Sequence, residues 1–314
     1  MPNTAVICVN YRGTSDTVAC VKSLLQSKVQ VQVVVVDTTP HDPALQAGLT
    51  FAPDIVLLRA PENVGFGRGN NIGIDWVLEH EACEFLFLLN NDAVILPESI
   101  ERLQEAMAEH PDVGIVAPRI AYLDAPAKLW YGGGEIDWRR ASAYTPGFNG
   151  DVRAPLATTE RDVTFASGCA LFMRRSVAQK LGGFDARFFM YEEDVEFCLR
   201  ATQAGIRIRY VPGSLILHRG QGSDPNAARG TQNLWSAENV NLPFFVFHMI
   251  RNRLLNIYLH ARGSSLLTAM LFFPLFMARR VVPLIWAGRT DALAATYRGM
   301  VGFWRVKRTG RSPD

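Results

Sequence analysis

The chain reads as an α/β protein on a mostly parallel central sheet with helices on both faces, and three observations predict it. Strand-length apolar runs recur at Val6 to Tyr11, Val31 to Val36, Ile55 to Leu58, Phe85 to Asn90 and Val113 to Ala117, with helical segments between them. The runs are near-continuously apolar rather than alternating, as strands covered on both faces must be. Two of them end in carboxylates, Asp37 and Asp92, at the edge of an open parallel sheet where ligands bind.

Taken in order, the first strand leads into a helix near Asp16 to Gln26, with Val18, Val21, Leu24 and Leu25 on one face. After the strands ending at Asp37 and Leu58, the block Glu62 to Gly73 reads as a glycine-rich turn entering a helix that runs to about His80. The central strand Phe85 to Asn90 follows. Pro97 suits the first turn of a helix reaching Glu109, and right-handed crossovers are expected throughout. Residues 121–163, with Gly132-Gly133-Gly134, two tryptophans and several prolines, predict loops or a hairpin over the sheet. A helix from Ser176, read as its N-cap, to Leu181 is closed by Gly182-Gly183. Glu192 to Ala204 predicts another helix, Ile206 to Val211 a strand, and Ser214 to Leu217 a further strand-like run before His218.

At 314 residues, with 48% hydrophobic and 20% charged residues and a mean hydropathy of +0.06, the chain can bury a large core. Five scattered cysteines without a C-x-x-C pair predict reduced thiols and a cytoplasmic setting rather than a disulfide framework or zinc site. Met1 to Thr4 enters a strand at once, so no signal peptide is expected. The net charge of +2 conceals an asymmetry: from Phe244 onward eleven Lys or Arg face two Asp.

Asp92, flanked by Asn90 and Asn91, suits a hard divalent cation and the phosphates it carries, or else simply opens a turn. With Asp37 it supplies what a nucleotide needs, one acid for a base or ribose and one for a metal–diphosphate. Gly65-x-Gly67-x-Gly69 matches neither G-x-G-x-x-G nor a P-loop. It reads as backbone approaching a diphosphate at a helix N-terminus, with a plain turn as the alternative. The three acids Glu192-Glu193-Asp194 after an aromatic run cap a helix or hold a general base, and one residue can do both. Arg200 is read as a partner for a carboxylate elsewhere in the sheet. His218, beside the Gly-rich segment 219–223, suits a metal ligand under a lid.

The order of these blocks resembles the family-2 inverting glycosyltransferases of GT-A fold, most closely their rhamnosyltransferase-like branch, over about residues 4–225. It is carried by Val9-Asn10-Tyr11, Asp37, Asn63-x-Gly65-Phe66-x-x-Gly69-Asn70-Asn71-x-Gly73, Leu89-Asn90-Asn91-Asp92, Ser167-Gly168, the Gly183 to Arg200 block and His218. The resemblance implies donor contacts from Val9, Asn10, Tyr11, Asp37, Asn70, Asn71, Asn91 and Asp92. It implies Mg²⁺ or Mn²⁺ on Asp92 and His218, acceptor contacts from Ser167, Gly168, Tyr191 and Glu193, and Asp194 as catalytic base. The donor would be a UDP- or dTDP-linked sugar, rhamnose among the candidates. The acceptor would be a glycan or a polyprenyl-diphosphate-linked sugar in cell-surface polysaccharide synthesis. Asn90 stands where the family's first metal-site acid usually lies, and Asn70 where many members have Arg.

The implied domains are a catalytic unit 1–240, with a nucleotide half to about 120 and an acceptor half after it, and a basic extension 241–314. The longest uncharged run there, Gly263 to Ala278, is shorter than the roughly 20 residues a spanning helix needs. Helices lying on the inner face of an anionic membrane are expected, with a helical cap or a homo-oligomer interface as alternatives. Nucleic acid is not an expected partner, because the cations are interleaved with Leu and Phe. The alternative functions are a sugar-phosphate nucleotidylyltransferase, whose N-terminal signature Asn10 to Gly13 matches poorly, and a non-catalytic membrane-associated scaffold.

Overall fold

The computed structural model describes residues 2–39, 43–140, 142–220, 235–237, 239 and 241–310. Of the expected lid, residues 221–223 lie outside the described residues.

The first half is built as the apolar pattern demands. Strand β1 (Thr4–Asn10), helix α1 (Thr14–Leu24), strand β2 (Val31–Asp37), short helix α2 (Pro43–Gly48), strand β3 (Val56–Arg59), helix α3 (Gly65–His80) and strand β4 (Phe85–Leu89) follow one another. β1 lies between β2 and β4, parallel to both, with Val6 opposite Val33 on one side and Phe87 on the other. All five residues of β4 are buried. A short β5 (Ala93–Ile95) and helix α4 (Ser99–Glu109) lead to β6 (Val113–Tyr122). Pro97 precedes α4 rather than opening it, and Ser99 Oγ accepts the Leu96 N–H at 3.0 Å.

The second half contains β7 (Leu129–Tyr131), the hairpin β8 (Glu135–Asp137) and β9 (Ser142–Tyr144), α5 (Pro155–Thr158), β10 (Arg161–Val163) and β11 (Ala170–Arg174). Then come α6 (Arg175–Leu181), α7 (Glu193–Gln203) and β12 (Arg207–His218). The main sheet runs β10-β12-β6-β11-β4-β1-β2-β3. It is mostly parallel, but β11 runs antiparallel to both β4 and β6. That reversal sets the start of β11 against the C-terminal tip of β4, Ala170 opposite Leu89. The two strand-like runs expected on either side of Pro212-Gly213 form one strand, β12, with a register shift between Val211 and Leu215. Ser176 is not the cap of α6, because the helix already includes Arg175.

The glycine block differs from its expected form. Gly65 to Gly73 is the first half of α3 rather than a phosphate-cradling turn. Its glycines are there for close packing. A Cβ on Gly69 would meet Val9 at 2.7 Å, one on Gly73 would collide with Ile7, and one on Gly65, at φ +80°, would strike the backbone of Phe189. Gly73→Ala should therefore cost about 1–3 kcal/mol as an overpacking substitution. Urea denaturation measures it, and an unchanged midpoint would mean that α3 can lift off β1 at no expense.

Helices α8 (Leu242–His260), α9 (Gly263–Trp286) and α10 (Thr290–Thr309) form the extension. α9 continues through Pro274, Arg279, Arg280 and Pro283, so it exceeds the sixteen-residue run read from sequence. By length and composition alone it is long and apolar enough to cross a membrane. Most of it is open, with Leu267 71%, Leu271 74% and Trp286 86% exposed. α8 behaves oppositely: Arg251, Asn252, Arg253 and Asn256 on it are buried. Arg251 and Arg253, which interrupt the apolar sequence of this helix, are buried within the protein.

Candidate active site

The C-terminal edge of β1, β2 and β4 carries a connected polar cluster. Asn10 is its hub. It donates through Nδ2 to Asp37 Oδ1 at 2.9 Å, and its Oδ1 accepts from Thr17 Oγ at 2.8 Å and the Gly13 N–H at 3.2 Å. Asn91 Nδ2 donates to Thr17 Oγ at 3.0 Å, which ties the β4 tip to α1. Asp37 also accepts the Thr39 N–H at 3.0 Å. Tyr11 stands 37% exposed at this edge, and half-buried Val9 packs on Gly69.

Beyond β4 the chain turns at Asn90, whose carbonyl accepts the Ala93 N–H at 3.1 Å. β5 then pairs with the end of β12, His218 opposite Ala93. That pairing brings two residues 126 positions apart into contact: His218 Nε2 donates to Asp92 Oδ1 at 3.0 Å. Burial drives both groups toward neutrality, but their opposite charges prevail. Asp92 is held below the usual carboxylate range and His218 well above the usual imidazole range. The edge of Trp130 packs on the imidazole at 4.6 Å between centroids, and Arg219 pairs with Asp16 at 3.1 Å. Neither Trp130 nor Arg219 was singled out from sequence.

Asp92 Oδ2 is buried without a hydrogen-bond partner among the described residues. An orphaned carboxylate oxygen beside an imidazole fits a divalent cation that takes its other ligands from phosphate and water. No group of three His, Cys, Asp or Glu side chains that could hold a metal occurs among the described residues.

The reversed strand β11 joins this pair to the second acid cluster. Gly168 N–H donates to Asp194 Oδ2 at 3.0 Å, and the next residue, Cys169, accepts the Asn90 N–H at 2.8 Å. One short stretch of backbone, Gly168-Cys169, therefore connects the segment that carries Asp92 to Asp194. Ser167 Oγ accepts the Cys169 N–H at 3.2 Å and so shapes this turn.

The three consecutive acids lie in three different environments. Glu192 is paired with Arg253 at 2.7 Å and accepts from Ser142 Oγ at 2.9 Å. Glu193 is held well above the usual carboxylate range by burial and then by the charge of Asp194. Asp194 is pushed up to about 6, chiefly by burial and against the Gly168 N–H, which poises it as a base.

Four further residues singled out from sequence have partners within the protein. Both amide atoms of Asn71 are engaged with the Phe184 backbone, donating at 2.8 Å and accepting at 2.7 Å, so it fastens α3 to the 183–184 turn. Asn70 is buried and donates to Phe66 O at 3.0 Å within its own helix. Arg200 pairs with Glu196 on its own helix at 2.8 Å and with the carbonyls of Leu181 and Gly183. Tyr191 packs edge-on against Phe245 of α8.

The mostly parallel sheet, with Asp37 and Asp92 at its C-terminal edge and the reversed strand β11 beside them, has the architecture of a GT-A fold. A family model described as "Glycosyltransferase like family 2" matches residues 2–237, and the chain belongs to that family. It is similar to the N-acetylglucosaminyl-diphospho-decaprenol L-rhamnosyltransferase of Mycobacterium tuberculosis, 29% identical over 248 residues, covering 70% of this chain and 78% of that protein. It is also 26% identical over 193 residues to the dTDP-rhamnosyl transferase RfbF of Shigella flexneri, 59% of each chain. Among solved structures, the mannosyltransferase PcManGT from Pyrobaculum calidifontis in complex with GDP-Man and Mn²⁺ superposes with a TM-score of 0.56 at 13% identity. That match covers 96% of this chain and 87% of the other. GalNAc-T7 with UDP, GalNAc and Mn²⁺ gives a TM-score of 0.58 at 14% identity, over 90% and 58%. At such identities the likeness is one of fold. The family, fold and rhamnosyltransferase-like resemblance expected from the sequence are borne out.

Proposed function

We propose that this glycosyltransferase is an inverting, metal-dependent enzyme that moves a sugar, rhamnose foremost, from a dTDP- or UDP-linked donor to a lipid-linked glycan at the cytoplasmic face of a membrane. The observation that supports the reading is the Gly168-Cys169 link, which joins Asp194 to the segment carrying the Asp92–His218 pair. Asp92 and His218 would hold Mg²⁺ or Mn²⁺, which when bound supplies positive charge against the departing diphosphate. Asp37 and Asn10 would receive the nucleoside, with Tyr11 beside them. Asp194 takes the proton of the acceptor hydroxyl. The freed oxygen forms the new bond to the anomeric carbon as the bond to the nucleoside diphosphate breaks on the opposite face, so the configuration inverts. Relatives named for rhamnosyl transfer to decaprenyl-linked and dTDP-dependent systems support the donor and acceptor classes.

Thermal shift against a panel of nucleotide-sugars, with and without Mn²⁺, is the direct test. A cognate donor at 100 times its Kd stabilises the protein by about 2.7 kcal/mol. Asp92→Ala should remove the Mn²⁺-dependent part of that shift while keeping the fold. Equal donor binding by parent and variant in Mn²⁺ would exclude Asp92 from the metal site. The open apolar face of α9, with Arg279 and Arg280 within the helix, supports seating on an anionic bilayer. Flotation of the full chain with anionic liposomes reads this directly, and failure to float at low salt argues for a soluble assembly instead.

A further inference from the structure

The two residues that lead into the base-bearing helix are held in an unfavourable shape. Tyr191 and Glu192 both lie at φ +67°, the left-handed region that non-glycine residues rarely occupy. Such a conformation persists only where surrounding contacts over-determine it, and it clusters at functional sites. Here the contacts come from α8. Asn252 Nδ2 donates to both Met190 O at 2.9 Å and Tyr191 O at 2.7 Å, and Asn256 Nδ2 donates to Glu192 O at 3.2 Å. Three successive carbonyls are thus gripped by two side chains one helical turn apart. One turn further on, His260 Nε2 lies 3.2 Å from Glu196 Oε1.

On the other side, the same segment rests on α3, where Phe66 N–H donates to Phe189 O at 2.9 Å and Gly65 leaves no room for a Cβ. Phe189 in turn stacks on His248 of α8 at 5.5 Å. The turn before Asp194 is therefore clasped between a catalytic-domain helix and a helix of the extension. Asn252 is fully buried and touches neither the Asp92–His218 pair nor Asp194 in any hydrogen bond. Its amide donates to backbone carbonyls four and three residues upstream of Asp194, and its Oδ1 accepts from Arg251 Nε at 2.8 Å.

We infer that Asn252 is a positioning residue: by locking the left-handed Tyr191–Glu192 turn, helix α8 fixes where Asp194 stands, so the extension completes the active site as well as anchoring it. This rests on Asp194 being the base, and the experiment separates the two ideas. Asn252→Leu keeps the volume and removes both donors. Calorimetry with the nucleoside diphosphate and Mn²⁺ gives the number of binding-competent sites, and turnover is divided by that number.

The expected result is near-parent site number and Kd with kcat per competent site lower by about 10- to 100-fold, as a misplaced catalytic group produces. A residue that only helps the chain fold would lower the number of sites and leave kcat per site unchanged, and that result overturns the proposal. Should Asn252→Leu not accumulate, Asn252→Ser, which retains one hydroxyl donor, should show a smaller loss of the same kind. Asp194→Asn is assayed alongside. If it is inactive while Asn252→Leu turns over at the parent rate per site, positioning fails and the base stands. If Asp194→Asn turns over normally, both readings fail together.

Discussion

Asp194→Asn lowers kcat by about 10²- to 10⁴-fold, the usual contribution of a positioned general base, while donor affinity with Mn²⁺ stays near that of the parent. Asparagine fills the same space but cannot take a proton. Because burial pushes the Asp194 carboxyl up to about 6, the parent has a matching pH signature. The basic form exists above that value, so kcat/KM should fall tenfold per pH unit below about 6 and level off above it. Steady-state transfer assays across pH 5–8 measure both effects. A flat profile through pH 6 would remove Asp194 from the proton-transfer step.

Arg253→Met destabilises the protein by about 3–5 kcal/mol, the cost of removing one partner of a buried ion pair. Glu192 would keep its Ser142 and Asn256 contacts but lose the guanidinium that neutralises it in the interior. The double variant Glu192→Gln/Arg253→Met should recover most of the loss, since replacing a buried pair as a unit is often close to neutral. Guanidinium denaturation of both variants decides this. A single variant as stable as the parent would mean that water reaches Glu192. The same arginine packs on Phe276 of α9 at 4.4 Å, so its loss also loosens the link between the catalytic unit and the exposed helix.

Most of the site was legible because it is written in strand ends and short blocks. Asp37 closes a buried strand and Asp92 lies in the turn just beyond another, and the order of motifs named the family. What the residues do for one another was less visible. The glycines of 65–73 looked like a phosphate turn, because a glycine needed for close packing and one needed for a tight turn look the same in sequence. Asn71 looked like a ligand contact and is occupied by Phe184. The role of α8 carried a readable signal that went unread: His248, Asn252, Asn256 and His260 recur every fourth residue and form one polar stripe on an apolar helix.

The chain by itself determined its strands, the helices between them, the acids at the sheet edge and the family to which it belongs. All of these follow from local periodicity and from residues near in sequence. Only the folded molecule decided that β11 runs backwards, that Arg253 of α8 pairs with Glu192, and that burial raises the carboxyls of Glu193 and Asp194. A carboxyl group takes its charge state from its burial and from the partners that distant segments bring to it, and neither is fixed until the sheet has closed.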